Sequence, residues 1–206
     1  MTNTLVIIVS NIYDSKYLSN MKHYFKNTDF ALITSKEIQC CTDSFFKYKH
    51  VEPNMQFSKV CSFLSTLSVT YEWYIKIRPE IELQEEIDFN KLSQYAINAR
   101  LREYRGKKCI LNGSSMGGIW ESGNDRDLKY DPFNEYIILD DQIYIFHRNV
   151  LGAFKYPEQE SSRQDEWFHS NIWKSRGIEL NPIGIKLIFH HPSGDAPSNH
   201  VNKSFM

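Results

Sequence analysis

YEWYIKIRPEIEL, residues 71–83, is the stretch on which the reading of the whole chain turns. Its first half alternates polar and apolar residues among aromatic and β-branched ones, which predicts a strand. Pro79 lacks an amide proton, fixes φ and biases Arg78 toward an extended conformation, so the ladder is expected to end there. Arg78, Glu80 and Glu82 gather at that end. A buried strand that delivers charged side chains at its C-terminal tip is how open α/β sheets build ligand sites. Carboxylates spaced i, i+2 lie on the same side of an extended chain, where both could face one hard cation. The alternative is a strand running into a solvated acidic loop, since Glu85, Glu86 and Asp88 follow.

Upstream, Leu5 to Ser10 (LVIIVS) is a continuous apolar run of the kind buried on both faces of a parallel sheet. Asp14 or Ser15 can cap a helix running to about Phe25, and Phe30 to Thr34 (FALIT) reads as a second strand. This βαβ rhythm points to a doubly wound α/β fold. Ser10, Asn11 and Ser35 then follow the tips of two neighbouring strands, as base- and ribose-contacting loops do. Ordinary βα turns would look the same. Cys40 to Pro53 reads as an irregular loop, followed by a helix from about Met55 to Leu67 with Phe57, Val60, Cys61, Leu64 and Leu67 on one stripe. Lys59 falls on its polar face, either solvated or at a phosphate.

Downstream, Asn90 to Arg105 is expected to form a second amphipathic helix stopped by Gly106, and Cys109 to Asn112 a short strand. Gly113 to Gly118 (GSSMGG) lacks the lysine that a phosphate loop requires. Tyr136 to Arg148 carries strand signals interrupted at Asp140-Asp141, so it predicts two strands or one bulged strand. Val150 to Phe154 starts a short helix. Arg163 to Arg176 predicts a helix ended by Gly177, with Asp165 and Glu166 in its first turn, where carboxylates also suit the helix dipole. Gly184 to His191 is a last strand ending in His190 and His191. From Ser193 the chain is a tail or linker without hydrophobic pattern.

With 24 basic and 25 acidic side chains in 206 residues, nothing suggests a nucleic-acid surface. The four cysteines show no C-x-x-C spacing and read as reduced thiols of an intracellular protein. The apolar start is too short for a signal-peptide core or a membrane span, so the chain is expected to be soluble and cytoplasmic. The unusual polar residues occupy three places: Arg78, Glu80 and Glu82 end one strand, Asp165 and Glu166 open a late helix, and His190 and His191 end the final strand. One or two carboxylates, a histidine and a substrate pyrophosphate are a sensible ligand set for Mn²⁺ or Mg²⁺.

This order of features resembles the glycosyltransferases of the GT-A fold and, within them, the small N-terminal glycosyltransferase domains of multidomain chlorella-virus proteins that build capsid glycans. The resemblance spans about residues 4–192 and implies a single Rossmann-like α/β domain with a mostly parallel central sheet flanked by helices. A nucleotide-binding half (about 1–88) would precede an acceptor half (89–192), with 193–206 as tail or linker and further domains beyond. On this pattern Arg78-Pro79-Glu80 occupies the acidic "DxD" triplet, with Glu80 at its metal position and Glu82 beyond it. Asp140 to Arg148 corresponds to the strand bordering the acceptor site, with Asp141 counted among the residues that bind the sugar nucleotide. Asp165, with Glu166 second, stands where the family keeps its catalytic carboxylate, and His190 or His191 where it keeps a C-terminal metal ligand. The resemblance implies a UDP-sugar donor, a glycan or glycoprotein acceptor, a divalent metal and, for a viral protein, the host cytoplasm. The triplet departs from the family in beginning with Arg and in using Glu as its acid, so that Arg78 would itself bring positive charge to the diphosphate. A non-catalytic nucleotide- or glycan-binding module is the alternative outside enzymes. Nucleotidyl transfer is the alternative within them, although it usually calls for a glycine-rich N-terminal loop and a stronger acidic pair.

Overall fold

Side-chain alternation on the first strand separates the two layers of the protein. In β1 (Thr4–Val9) all six residues are buried. Leu5, Ile7 and Val9 join one hydrophobic cluster, whereas Val6 and Ile8 join the other, as successive residues of a strand must when both faces are covered. The structure is a computed structural model and describes residues 3–9, 15–37, 43–53, 56–105, 108–112, 118–121, 136–154, 173 and 175–189.

The elements follow as α1 (Ser15–Tyr24), β2 (Asp29–Thr34), β3 (Tyr48–Val51), α2 (Gln56–Thr66), β4 (Trp73–Ile77) and β5 (Ile81–Leu83). After them come β6 (Ala96–Arg105), β7 (Lys108–Asn112), β8 (Gly118–Glu121), β9 (Tyr136–His147), β10 (Glu179–Pro182) and β11 (Leu187–Phe189). Short 3₁₀ segments lie at Asp43–Phe45, Phe89–Lys91 and Arg148–Ala153. The main sheet has the order β3-β2-β1-β4-β9-β6-β7-β8, with β10 alongside β6. β3, β2, β1 and β4 are mutually parallel, and β9 runs against both β4 and β6. β5 and β11 form a separate antiparallel ribbon. The protein is thus a Rossmann-like α/β domain with one sheet running through both of its halves.

Phe63 and Val60 of α2 pack with Leu5, Ile7, Tyr74, Phe146 and Trp173 on one face. Leu18 and Met21 of α1 pack with Val6, Ile8, Ile75, Ile77 and the ribbon residues Ile81, Leu83 and Leu187 on the other. Asn20 ties the ribbon to α1: its side chain donates to the Leu83 carbonyl (3.0 Å) and accepts from the Leu83 amide (2.9 Å).

Both N-terminal strands, both early helices and the strand at Cys109–Asn112 stand where the sequence places them, each within one or two residues. Tyr136–His147 is one bulged strand: between its pairs Ala99↔Tyr144 and Leu101↔Leu139, β6 advances two residues while β9 advances five. Two expectations are corrected, and one strand stands where the sequence was not read. The segment 90–105 is not a helix but a short turn followed by β6. Every residue from Ala96 to Arg100 is buried, whereas a surface helix would bury only one stripe. Helix propensities differ by at most about 0.7 kcal/mol per ordinary residue, while burying an Ile side chain such as that of Ile97 contributes about 1.5–3 kcal/mol. The buried Asn98 fixes the entry to the strand, accepting from the Ser93 amide at 2.7 Å and donating to the Ser93 and Ile145 carbonyls at 2.9 and 3.2 Å. Tyr48–Val51, read as loop, is a parallel edge strand, and Glu179–Pro182 is an edge strand too. Neither carries an apolar run, because an edge strand is half exposed, and Pro182 ends the latter as edge positions allow. The predicted helix 163–176 and the tail after 192 lie outside the described residues, except Trp173, Ser175 and Arg176.

At the N-terminal edge of the parallel strands, Asp29 accepts from Lys47 Nζ (2.5 Å) and from the Tyr71 hydroxyl (2.6 Å), and the Tyr48 hydroxyl lies 2.9 Å from that of Tyr71. Burial opposes ionisation of Asp29, but these two hydrogen bonds and the Lys47 charge outweigh it and hold the carboxyl below its ordinary value. A carboxyl depressed in the folded state stabilises the fold above the unfolded value, about 3.9, and loses that contribution as pH falls through the folded value. Asp29→Asn is therefore expected to melt lower than the parent at pH 7, with the gap closing as pH drops below about 4. Thermal unfolding across pH 3–7 checks this, and a gap independent of pH would remove the charge from the account.

Candidate functional site

The chain winds from β1 through α1 to β2 and on to β3, then returns through α2 to β4 on the opposite side of β1. The direction of winding reverses between β1 and β4, and open α/β sheets bind ligands in the crevice outside the carboxyl ends of such a pair. Ile8 pairs with Ile77, so Val9 and Arg78 stand side by side at this edge, and Thr34 ends the neighbouring β2.

The chain turns sharply at the tip of β4. The Arg78 amide donates to the Gln142 carbonyl of β9 (3.0 Å), and the Ile81 amide donates back to the Arg78 carbonyl (3.3 Å). Pro79 occupies the second position of this turn, where its fixed φ is pre-set. Glu80 is 9% exposed. Its Oε2 lies 3.5 Å from Arg78 Nε, an ion-pair distance, yet it is buried and, among the described residues, makes no hydrogen bond. The two observations are compatible: the charge is compensated, but the oxygen's lone pairs are not. A buried carboxylate oxygen in that state is suited to accept from a ligand or to bind a hard cation.

Of the other expected residues, Ser35 and Lys59 are brought together. Lys59 is not on a solvated face as one expectation had it: it is 6% exposed, and its Nζ lies 2.5 Å from Ser35 Oγ at the end of β2. The first turn of α2 overlies that tip, so the aliphatic stem is covered while the amine reaches a polar partner. Glu82 lies in β5 and accepts from Gln84 Nε2 at 3.0 Å. Because the turn removes Glu80 from the extended chain, the i, i+2 argument for a shared carboxylate face does not apply. Asp141 belongs to the bulged part of β9, next to Gln142; its side chain lies outside the described residues. So do Ser10, Asn11, Asp165, Glu166, His190 and His191. The register of the ribbon nevertheless sets Phe189, the residue before His190, opposite Ile81, the residue after Glu80. Among the described residues no group of three or more His, Cys, Asp or Glu side chains could hold a metal, so Glu80 would need substrate oxygens or further residues to complete a coordination sphere. No helix among those residues is long and apolar enough to cross a membrane.

Sequence reasoning missed Gln142, which accepts the Arg78 amide on its main chain and a hydrogen bond from Arg100 Nη1 on its side chain (3.1 Å). The polar break at Asp140-Asp141 was its only signal. A separate pocket of about 280 Å³ lies between residues 85–92 and 181–185, with Ile183, Ile185 and Leu92 among its lining, and it shares no residue with the crevice.

No protein family's sequence model matches this chain, and no curated protein matches it. Solved structures are similar in fold. One is a CMP:2-keto-3-deoxy-manno-octonic acid synthetase complexed with CTP, at 9% identity, covering 87% of this chain and 88% of that one with a TM-score of 0.52. Another is a 4-diphosphocytidyl-2C-methyl-D-erythritol synthase from Anaerococcus prevotii DSM 20548, at 11% identity, 89% and 88% coverage and a TM-score of 0.52. A third is a protein from Bacillus anthracis assigned as a glucose-1-phosphate thymidylyltransferase, in complex with a sucrose, at 12% identity, 90% and 89% coverage and a TM-score of 0.51. At such identities the likeness is one of fold, and it extends over nearly the whole chain.

The Arg78–Glu80 pair makes a stability prediction of its own. Removing one partner of a mostly buried ion pair leaves the other uncompensated, whereas removing both relieves that penalty. Arg78→Met should lower the melting temperature, and adding Glu80→Gln should restore part of the loss. A double-mutant cycle by thermal unfolding measures the coupling, and strictly additive single effects would mean that the pair contributes none.

Proposed function

We propose that this chain is a transferase that uses sugar nucleotides and that it binds the nucleoside diphosphate in the crevice between the tips of β1 and β4. One observation carries the reading: the Arg78-Pro79-Glu80 turn sits at the winding reversal, with a guanidinium beside a buried carboxylate oxygen that makes no hydrogen bond among the described residues. Arg78 offers charge to phosphate oxygens, and Ser35 with Lys59 offers polar contacts at the next strand tip. The residue pattern, with its resemblance to GT-A enzymes, favours glycosyl transfer from a UDP-sugar to a carbohydrate hydroxyl of a glycan or glycoprotein, as in capsid-glycan synthesis in a host cytoplasm. Glu80 is then the protein's ligand to Mn²⁺ or Mg²⁺, with Glu82 behind it and His190 or His191 joining from the end of the ribbon. The cation, when bound, supplies positive charge to the leaving diphosphate. In this reaction the acceptor oxygen bonds to the anomeric carbon as the bond from that carbon to the phosphate oxygen breaks. The diphosphate leaves with the electron pair, and for an inverting enzyme Asp165, with Glu166 second, takes the acceptor proton.

Nucleotidyl transfer is the second reading, and the comparisons favour it, since the similar folds include a synthetase with CTP and a protein assigned as a thymidylyltransferase. Against it stands the sequence after β1, Ser10-Asn11-Ile12-Tyr13-Asp14, which has no glycine. Product analysis separates the two. Glycosyl transfer releases UDP from a UDP-sugar in the presence of acceptor, and nucleotidyl transfer releases pyrophosphate from a nucleoside triphosphate and a sugar phosphate. Release of neither, with UDP bound tightly, would leave a binding module.

Two substitutions test the roles. Glu80→Gln is expected to abolish most Mn²⁺-dependent UDP binding, measured by titration calorimetry, with the circular dichroism spectrum unchanged; unchanged affinity would remove Glu80 from the site. Asp165→Asn should leave donor affinity intact and slow transfer by about 10²–10⁴-fold. A missing helix-dipole partner accounts for only about 0.3–1 kcal/mol, so a rate within a few-fold of the parent would return Asp165 to capping and shift the base to Glu166.

A further inference from the structure

Arg100 stands where β9 carries its extra residues against β6. It is 1% exposed in the middle of the sheet, an unusual place for a guanidinium. Its Nη1 donates to Gln142 Oε1 at 3.1 Å, and both side chains are buried. The main-chain carbonyl of the same Gln142 accepts the Arg78 amide at 3.0 Å, and the Arg78 carbonyl closes the turn by accepting from Ile81 at 3.3 Å. Three hydrogen bonds in series therefore run from Arg100 to the turn that carries Glu80. The link to Arg78 continues the β4–β9 ladder by one step beyond its last pair, Ile77↔Ile143, while on the other side the bulge leaves Gln142 out of the pairs between β9 and β6.

We infer that Arg100 is a positioning residue for the crevice: by holding the side chain of Gln142 it fixes the carbonyl on which the Arg78-Pro79-Glu80 turn hangs, and so sets the affinity for a nucleoside diphosphate. The inference rests on the crevice reading above and deepens it. Arginine suits the task because its planar fork holds an amide oxygen in one orientation, which a lysine ammonium on its flexible stem does not. Groups that orient a ligand-bearing residue from behind commonly change affinity by roughly 10–100-fold when altered.

The test uses the full chain and two readouts, one of which needs no ligand. Hydrogen exchange followed by NMR reports the Arg78 amide directly. In Arg100→Lys that amide is expected to exchange at least about tenfold faster, while the amides of β1 and of β4 up to Ile77 keep their protection. Affinity for UDP with Mn²⁺, by titration calorimetry, should fall roughly 10–100-fold. Gln142→Glu, which keeps an acceptor for Arg100, should leave Arg78 exchange as in the parent. Should Arg100→Lys fail to fold, Gln142→Met removes the same acceptor and is expected to reproduce both effects. Unchanged Arg78 exchange overturns the proposal, as does faster exchange with undiminished UDP affinity. If the parent itself binds no UDP, the crevice reading fails, and the exchange result alone still decides whether Arg100 holds the turn.

Discussion

Burial of the central strands on both faces is the constraint from which the rest of the structure follows. All six residues of β1 and all five of β4 are buried, so along their length these strands leave little room for polar chemistry. Lys76 shows what an exception requires: it is fully buried, with its amine over the Tyr144 ring at 5.5 Å. Functional side chains must therefore come where strands end, and Pro79 decides where β4 ends. By removing one ladder donor it turns the chain at the level of Val9, at the reversal of winding, and the next strand leaves the main sheet altogether to pair with β11.

The parallel half of the sheet was legible because its strands are continuous apolar runs with capped helices between them, a pattern that only a covered parallel sheet needs. The break at Pro79 was legible for the same local reason. Other parts depended on partners far away in sequence. Ala96 to Arg105 contains Ala, Leu, Arg and Glu, good helix formers, and became a strand because β9, β10 and β7 offer it ladders on both sides. Tyr48–Val51 and Glu179–Pro182 became strands because a neighbour's edge was open. In the candidate site, the closeness of Arg78 and Glu80 at the end of β4 was legible from the chain alone, since proline fixes their context. Arg100 and Gln142 could not: each looks like a surface residue until the pairing of β6 with β9 encloses it. The burial of Lys59 was hidden likewise, because helical periodicity marks a polar face without showing that a strand tip lies beneath it.

The two ends of the parallel strands differ in how completely their described polar groups are satisfied, and that difference singles out the carboxyl edge as the candidate site. At the N-terminal edge Asp29, Lys47, Tyr48 and Tyr71 close on one another, with Lys47 also reaching the Tyr71 hydroxyl at 3.2 Å. Burial first, and then the hydrogen bonds to Asp29 and Tyr48, push the Tyr71 hydroxyl well above its ordinary value, so it stays protonated as a donor to Asp29 across the physiological range. Nothing there needs a ligand. At the carboxyl edge Glu80 is more deeply withdrawn from water, but one of its oxygens has an arginine at ion-pair distance and, among the described residues, no hydrogen bond. Leaving a buried acceptor unsatisfied costs about 1–3 kcal/mol, and folded chains tolerate such breaches of local consistency mainly where function requires them. On the function proposed above, the nucleotide or its cation would complete that acceptor.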